Sequence, residues 1–210
     1  GSLEKKTALL AVEDFVKQFE DSALAYHLLA EAHELLGDDD ACDRALARAV
    51  ESNPPLVEAL AKRAFRLPAS HRNEKIELYR RALAVDPWFQ MARENLGFLL
   101  TARRGPGDLD SALEVLREAV RQNEDVNLAP RRSPRLHFLL AEAAEASEQW
   151  GAAARHFLVA AELEADPKLD GDLSHALARA ARCARRAGRE ALARELAWRV
   201  RCREADGMEG

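Results

Sequence analysis

Residues 90–123 constrain the fold of this chain more than any other stretch, because they read as two helices closed on each other by small side chains. Gly97 lies where the first helix can approach the second closely. The second helix carries small or apolar side chains at spacings of four and three, at Ala112, Leu116 and Ala119. A single hairpin of this kind occurs in many folds, so its value as evidence depends on whether neighbouring segments repeat it.

Residues 23–54 repeat this layout most closely. Gly37 is placed to end their first helix, and Cys42, Leu46 and Ala49 recur on their second helix. Cysteine at a small inward position usually behaves as a small apolar residue. We therefore expect Cys42 to be buried rather than reactive.

Weaker copies follow, so that the predicted repeats are residues 23–54, 56–87, 88–123, 134–165 and 172–203. In the second of these, Pro68 is predicted to end the opening helix early, because its ring removes a backbone donor and disfavours a helical residue before it. Residues 6–20 form an amphipathic helix without a partner, which predicts a half-repeat or capping helix. Residues 1–2 are typical of a cloning remnant and residues 204–210 of a disordered tail, so one solenoid is expected over 3–203.

Counted from Ala23, residues 23–54 resemble a tetratricopeptide repeat. Four of five signature positions hold the expected residue types, at Ala30, Leu46, Ala49 and Pro54, and Cys42 takes the place of the usual alanine. The resemblance implies an all-α fold, a right-handed α-solenoid of antiparallel helix pairs whose first helices line a concave groove. It also implies a non-catalytic protein–protein interaction or scaffold module.

No sequence pattern that carries catalytic chemistry is present: there is no glycine-rich phosphate loop, no HExxH and no nucleophile elbow. The three cysteines, Cys42, Cys183 and Cys202, lie far apart and lack the spacing of a zinc site. We therefore predict no enzyme activity, no catalytic residues, no metal site and no cofactor. The dispersed cysteines and the absence of a segment of about 18 apolar residues predict a cytoplasmic protein without a membrane span.

Charge is distributed unevenly along the chain. The net charge of −5 disfavours a general nucleic-acid-binding protein, whose affinity comes largely from basic residues. Residues 1–50 hold 11 acids and five bases, whereas residues 174–203 hold nine arginines and two glutamates. This arginine cluster has three interpretations: a solvated helix face, a docking surface for an acidic protein or for the acidic end of a second copy, and a nucleic-acid contact that includes Arg131, Arg132 and Arg135. Docking of a second copy predicts salt-sensitive self-association.

Tetratricopeptide proteins bind a peptide or helix with the second, fifth, ninth and twelfth residues of each first helix. Carried over to this sequence, the resemblance implies a groove formed by His27, Glu31, Phe65, Met91, Glu94, Phe98, Arg135, Phe138, Glu142, Arg182 and Arg185. The set is acidic along most of its length, contains apolar anchors and ends in arginines. It predicts a partner protein that presents a peptide or amphipathic helix with basic and apolar residues. The alternative is that the phenylalanines only pack between repeats. His27 and Glu31 occupy a lysine and an asparagine position of the clamp that binds chaperone tails, which excludes that ligand.

Overall fold

The structure is a computed structural model that describes residues 2–124, 133–163 and 173–206. Within these ranges it contains eleven α-helices, one short 3-10 helix and no β-strand. The all-α prediction is confirmed for this part of the chain. The chain divides into two compact units, the N-terminal unit (Gly1–Ala92) and the C-terminal unit (Arg93–Gly210).

The N-terminal unit contains α1 (Ser2–Gln18), α2 (Ala23–Leu36), α3 (Asp39–Glu51), α4 (Val57–Arg66), the 3-10 helix Ala69–His71 and α5 (Arg72–Val85). Each α-helix packs on the next one in the sequence. Capping residues fix the helix ends within the first hairpin. The Ser22 hydroxyl and the Asp38 carboxylate accept hydrogen bonds from the backbone N–H groups of Ala25 and Ala41, which begins α2 and α3. Gly37 ends α2 with a φ of 77°.

Two predictions about the N-terminal unit are confirmed. Helix α4 ends at Arg66, and the backbone of Leu67 and Pro68 turns extended, with ψ of 144° and 156°. The proline therefore ends its helix early, as expected. Cys42 is fully buried in a cluster with side chains of α2 and α3. Burial raises the pKa of its thiol, which favours the unreactive protonated form.

The C-terminal unit is built from α7 (Asp108–Glu124), α8 (Pro134–Ala146), α9 (Trp150–Leu163), α10 (Leu173–Arg186) and α11 (Glu190–Asp206), together with most of α6 (Gln90–Arg103). From α7 onward, each helix packs on the next one. Most of the core consists of alanine and leucine side chains. This composition explains how helix pairs stack closely with few aromatic residues.

Gly97 marks a close approach between α6 and α7. A Cβ atom built on Gly97 would lie 2.4 Å from Cγ of Leu116, which is far inside van der Waals contact. Leu116 is fully buried. The prediction that a glycine allows two helices to touch at this position is confirmed.

Several predicted boundaries differ from the helix ends. Helix α11 continues to Asp206, so the first part of the predicted tail is helical. Helix α1 begins at Ser2, before the predicted start at residue 6 and within the pair assigned to cloning. Residues 125–132, 164–172 and 207–210 lie outside the described residues, and with them Arg131, Arg132 and the repeat junctions at 165 and 172. The five repeat boundaries and the single solenoid over 3–203 stay predictions.

Candidate peptide-binding surface

The predicted contacts of the N-terminal unit differ in exposure. Phe65 on α4 is 71% exposed, and Met91 near the start of α6 is exposed as well. His27 on α2 is buried, with Nε2 3.5 Å from Oε1 of Glu31, and burial lowers the pKa of its imidazole. His27 therefore lies in the interior of the unit and is not available for a peptide.

Acidic residues of α2 are paired with basic residues of α4. Nζ of Lys62 lies 2.7 Å from Oε2 of Glu34 and 3.7 Å from Oε1 of Glu31. The hydrogen bond from Lys62 holds the pKa of Glu34 below its usual value. Arg66 reaches Glu34 at 3.4 Å and two aspartates of α3 at 2.7 Å each. These contacts neutralise most of the acidic row on α2.

The same arrangement recurs in the C-terminal unit. Nε of Arg135 on α8 lies 3.3 Å from Oε2 of Glu94 on α6. Nη1 of Arg179 on α10 lies 2.6 Å from Oε1 of Glu142 on α8. The carboxylates predicted to form an acidic groove thus have basic partners within the chain, which corrects the expectation of a row of free negative charge.

Arg179 is the centre of this cluster. Its guanidinium also donates to Glu145, which accepts a further hydrogen bond of 3.1 Å from Arg182. Burial acts to raise the pKa of Glu145, but the hydrogen bonds and charges of the two arginines outweigh it, and the pKa is lowered. The guanidinium of Arg179 lies 4.4 Å from the ring centroid of Phe157 and 5.3 Å from that of Phe138. Phe138 is therefore packed within the unit.

A cavity of about 590 Å³ opens beside this cluster. The residues that give it its chemistry are Phe98, Thr101, Glu142, Glu145, Trp150 and Arg179. Phe98 is 48% exposed, so its ring faces solvent at the cavity. Arg104 and Glu148 also line the cavity, and neither forms an ion pair within the ranges that the structure covers. The site therefore offers an exposed aromatic ring and two unpaired charges of opposite sign.

Comparison with known proteins assigns the fold. No protein-family model matches the chain, and no curated protein matches its sequence. Among solved structures, the MamA protein matches with a TM-score of 0.70 at 15% identity, over 90% of this chain and 96% of that chain. The C-terminal part of a TPR repeat-containing protein from Cytophaga hutchinsonii matches with a TM-score of 0.66 at 14% identity, over 97% and 76%. PilF from Pseudomonas aeruginosa matches with a TM-score of 0.62 at 16% identity, over 94% and 83%.

The chain has the tetratricopeptide-repeat fold. At these identities the likeness shows the fold alone. The family resemblance inferred from the sequence is confirmed at that level.

All eleven predicted contact residues of the tetratricopeptide fold lie on α2, α4, α6, α8 and α10. Phe98 and Glu142 line the same cavity. Arg185 is exposed and forms no ion pair in the described part of the chain. Trp150 and Arg179 were not predicted as peptide contacts, because neither occupies one of the four peptide-contact positions of a first helix. Arg179 belongs to the arginine cluster of residues 174–203 and lies one helical turn before Arg182 on the same face of α10.

Two histidines of the C-terminal unit face each other. Nδ1 of His137 lies 3.2 Å from Nδ1 of His156, and Nε2 of His137 lies 3.4 Å from Oε1 of Glu124. Burial and the neighbouring His137 lower the pKa of His156 to about 4. Within the described ranges, no three histidine, cysteine, aspartate or glutamate side chains are grouped so that they could hold a metal ion. None of the helices placed in the structure is long and apolar enough to cross a membrane.

Proposed function

We propose that the chain is a non-catalytic interaction module that binds a peptide or an amphipathic helix of a partner protein along the first helices of its hairpins. The cavity of the C-terminal unit carries this proposal. Phe98 and Trp150 stand there beside the carboxylates of Glu142 and Glu148. Concave sites with aromatic walls and a few polar groups are the usual place for an anchoring side chain.

The ion pairs within the chain decide which contacts supply affinity. A basic residue of the partner must compete with Arg179 for Glu142, whereas no basic residue in the described ranges pairs with Glu148. Apolar burial against Phe98 therefore supplies most of the affinity, and Glu148 and Arg104 orient the bound segment through their charges. The proposed ligand combines an apolar side chain with a basic residue close to it.

The N-terminal unit supports the same function with two apolar side chains, Phe65 and Met91, which are exposed on α4 and at the start of α6. Both are among the residues that the sequence resemblance assigns to the groove. The nucleic-acid alternative is weakened, because Arg135 is paired with Glu94. The proposed location is the cytoplasm, and the three free cysteines support it.

Site-specific cross-linking tests the proposal directly. A photo-reactive phenylalanine analogue at position 98 should cross-link the partner from a lysate of the source cells. The same analogue at position 19 is the matched control, because Phe98 and Phe19 are exposed to nearly the same extent, 48% and 49%. The cross-linked segment, identified by mass spectrometry, should contain apolar and basic residues.

Affinity then separates the groove from other surfaces. Phe98→Ala should weaken binding of the identified peptide at least tenfold, because truncating an aromatic anchor of this kind costs about 2 kcal/mol or more and about 1.4 kcal/mol already corresponds to tenfold. Phe19→Ala should leave it unchanged. Equal affinity of the wild-type protein and the Phe98→Ala variant removes the cavity from consideration.

A further inference from the structure

The two ends of the described chain carry surfaces of opposite charge, and neither surface belongs to the proposed groove. One surface is the turn between α1 and α2 in the N-terminal unit. The other is the outward face of α11 in the C-terminal unit. Each combines an exposed aromatic ring with an excess of unpaired charge, negative at the N-terminal surface and positive at the C-terminal surface.

The N-terminal surface is an aromatic side chain beside an acidic cavity. Phe19 follows α1 directly, is 49% exposed, and rests against Phe15 with the ring centroids 4.7 Å apart. Next to it, Glu20, Asp21 and Glu51 line a cavity of about 420 Å³ in which Arg48 supplies the opposite charge. These three carboxylates form no ion pair with the residues that the structure places. The cavity therefore holds an excess of two negative charges.

The guanidinium of Arg48 is already engaged in this cavity. It lies 5.5 Å from the ring centroid of Tyr26, over the aromatic face. The acidic cavity is consequently suited to a second cation that comes from outside the chain.

The C-terminal surface is an aromatic pocket between arginines. Trp198 on α11 is 59% exposed and lines a cavity of about 220 Å³ together with Ala161, Leu177 and Cys202. Glu162 and Arg199 complete the lining: Arg199 is paired with Glu195 at 2.6 Å, and Glu162 supplies one negative charge against the two arginines that flank Trp198. The pocket is about the size of one large apolar side chain.

Two arginines flank Trp198 on the same face of the helix. Arg194 precedes it by four residues and Arg201 follows it by three, which are the spacings of neighbours on a helix surface. Both are exposed and have no carboxylate partner in the described ranges. Six other arginines of this unit form ion pairs: Arg103, Arg121, Arg135, Arg179, Arg182 and Arg199.

We propose that these two surfaces bind each other between copies of the chain, so that Phe19 of one copy enters the pocket beside Trp198 of the next. Arg194 and Arg201 then face the carboxylates of Glu20 and Asp21. The apolar contact removes both exposed rings from water, and the charges fix which end meets which.

This contact joins different surfaces of the two copies, so it is heterologous. A pair of bound copies still presents one free N-terminal surface on one copy and one free C-terminal surface on the other. Association therefore proceeds head to tail and yields rings or open chains rather than only dimers. Neither surface shares a lining residue with the cavity at Phe98.

Charge reversal gives a sharp test, because two variants should each be monomeric alone and should associate when mixed. In Glu20→Lys/Asp21→Lys, basic residues meet the arginines of α11. In Arg194→Glu/Arg201→Glu, acidic residues meet the carboxylates at Phe19. A mixture restores opposite charges at both kinds of contact.

Light scattering and sedimentation at about 50 mM salt measure the outcome. The wild-type protein should show a mass that rises with concentration, and at about 1 M salt, where the Debye length is only about 3 Å, association should weaken at least tenfold. Trp198→Ala and Phe19→Ala should each weaken it at least tenfold as well. Phe98→Ala is the matched control and should associate like the wild type.

Three results overturn the proposal. One is a wild-type protein that stays monomeric at every protein and salt concentration. This result overturns the proposal even if the monomer binds acidic peptides or nucleic acid. Another is association that survives both charge-reversal variants alone, which indicates a different interface. The third is a mixture of the two variants that stays monomeric while circular dichroism shows both to be folded. None of these results bears on partner capture at Phe98.

Discussion

Gly97→Ala places one methyl group where α6 and α7 touch. The new Cβ would lie 2.4 Å from Cγ of Leu116, about 1 Å short of ordinary contact. Leu116 is fully buried, so its side chain cannot swing into solvent. Overpacking of this kind costs about 1–3 kcal/mol. Replacing a glycine in a helix returns about 0.5–1 kcal/mol, so we expect a net loss of stability of about 1–2 kcal/mol.

Gly151→Ala is the matched control, because a Cβ built on Gly151 in α9 meets no atom within 4 Å. It should be neutral or stabilise the protein by up to about 0.5 kcal/mol, since it lies near the start of its helix. Urea unfolding followed by circular dichroism at 222 nm measures both variants. Separate transitions of the two units, where they appear, are fitted separately.

The combination with Leu116→Ala decides whether the contact is the cause. Leu116→Ala alone should cost about 2–5 kcal/mol through the cavity that it leaves. In that background, Gly97→Ala should be neutral or stabilising, because its methyl group occupies vacated space. If Gly97→Ala stabilises the wild-type protein, or costs the same in both backgrounds, the close approach of α6 and α7 is refuted.

Two further predictions concern the C-terminal unit. Arg179→Ala should cost about 2–4 kcal/mol in urea unfolding, because it leaves Glu142 without its partner, leaves Glu145 with Arg182 alone, and uncovers two rings. Arg182→Ala should cost less than about 1 kcal/mol, because the side chain of Arg182 is 62% exposed; equal losses contradict this. His156 has a pKa lowered by burial and by His137 to about 4, so its contribution to stability is complete above about pH 6.5 and is lost as the pH falls toward 4, by at most about 3 kcal/mol. His156→Gln should remove this part of the pH dependence, and an unchanged profile argues against it.

Features that depend on a single hairpin could be predicted from the sequence. Gly97 and Pro68 act on their immediate surroundings, a glycine through its missing side chain and a proline through its ring, so their effects follow from position alone. Burial of Cys42 followed in the same way from the spacing of its helix. The turn and helix signals of each repeat are similarly local.

The charges of the candidate site could not be predicted in this way. The partner of Glu142 is Arg179, 37 residues away, and that pairing depends on how one hairpin stacks on the next. His27 is buried, but its position on α2 does not reveal this. The same helical position can face an open groove or be covered by a neighbouring helix, and only the packing of the helices decides between the two. The residue types at the contact positions therefore indicated a peptide-binding surface, but they did not indicate which of its charged side chains are already paired within the chain.

The ion pairs between first helices also give the hairpin that begins with α8 two sides of opposite charge. Helix α8 meets its predecessor α6 with the base Arg135 and its successor α10 with the acids Glu142 and Glu145. In the N-terminal unit, Glu34 of α2 likewise pairs with the basic residues Lys62 and Arg66 of the following first helix, α4. A tandem copy of the hairpin that begins with α8 would thus meet a neighbour of opposite charge on both sides, whereas a copy inserted in the reverse orientation would bring acids against acids. These ion pairs therefore favour one order of hairpins, and tandem duplication preserves that order.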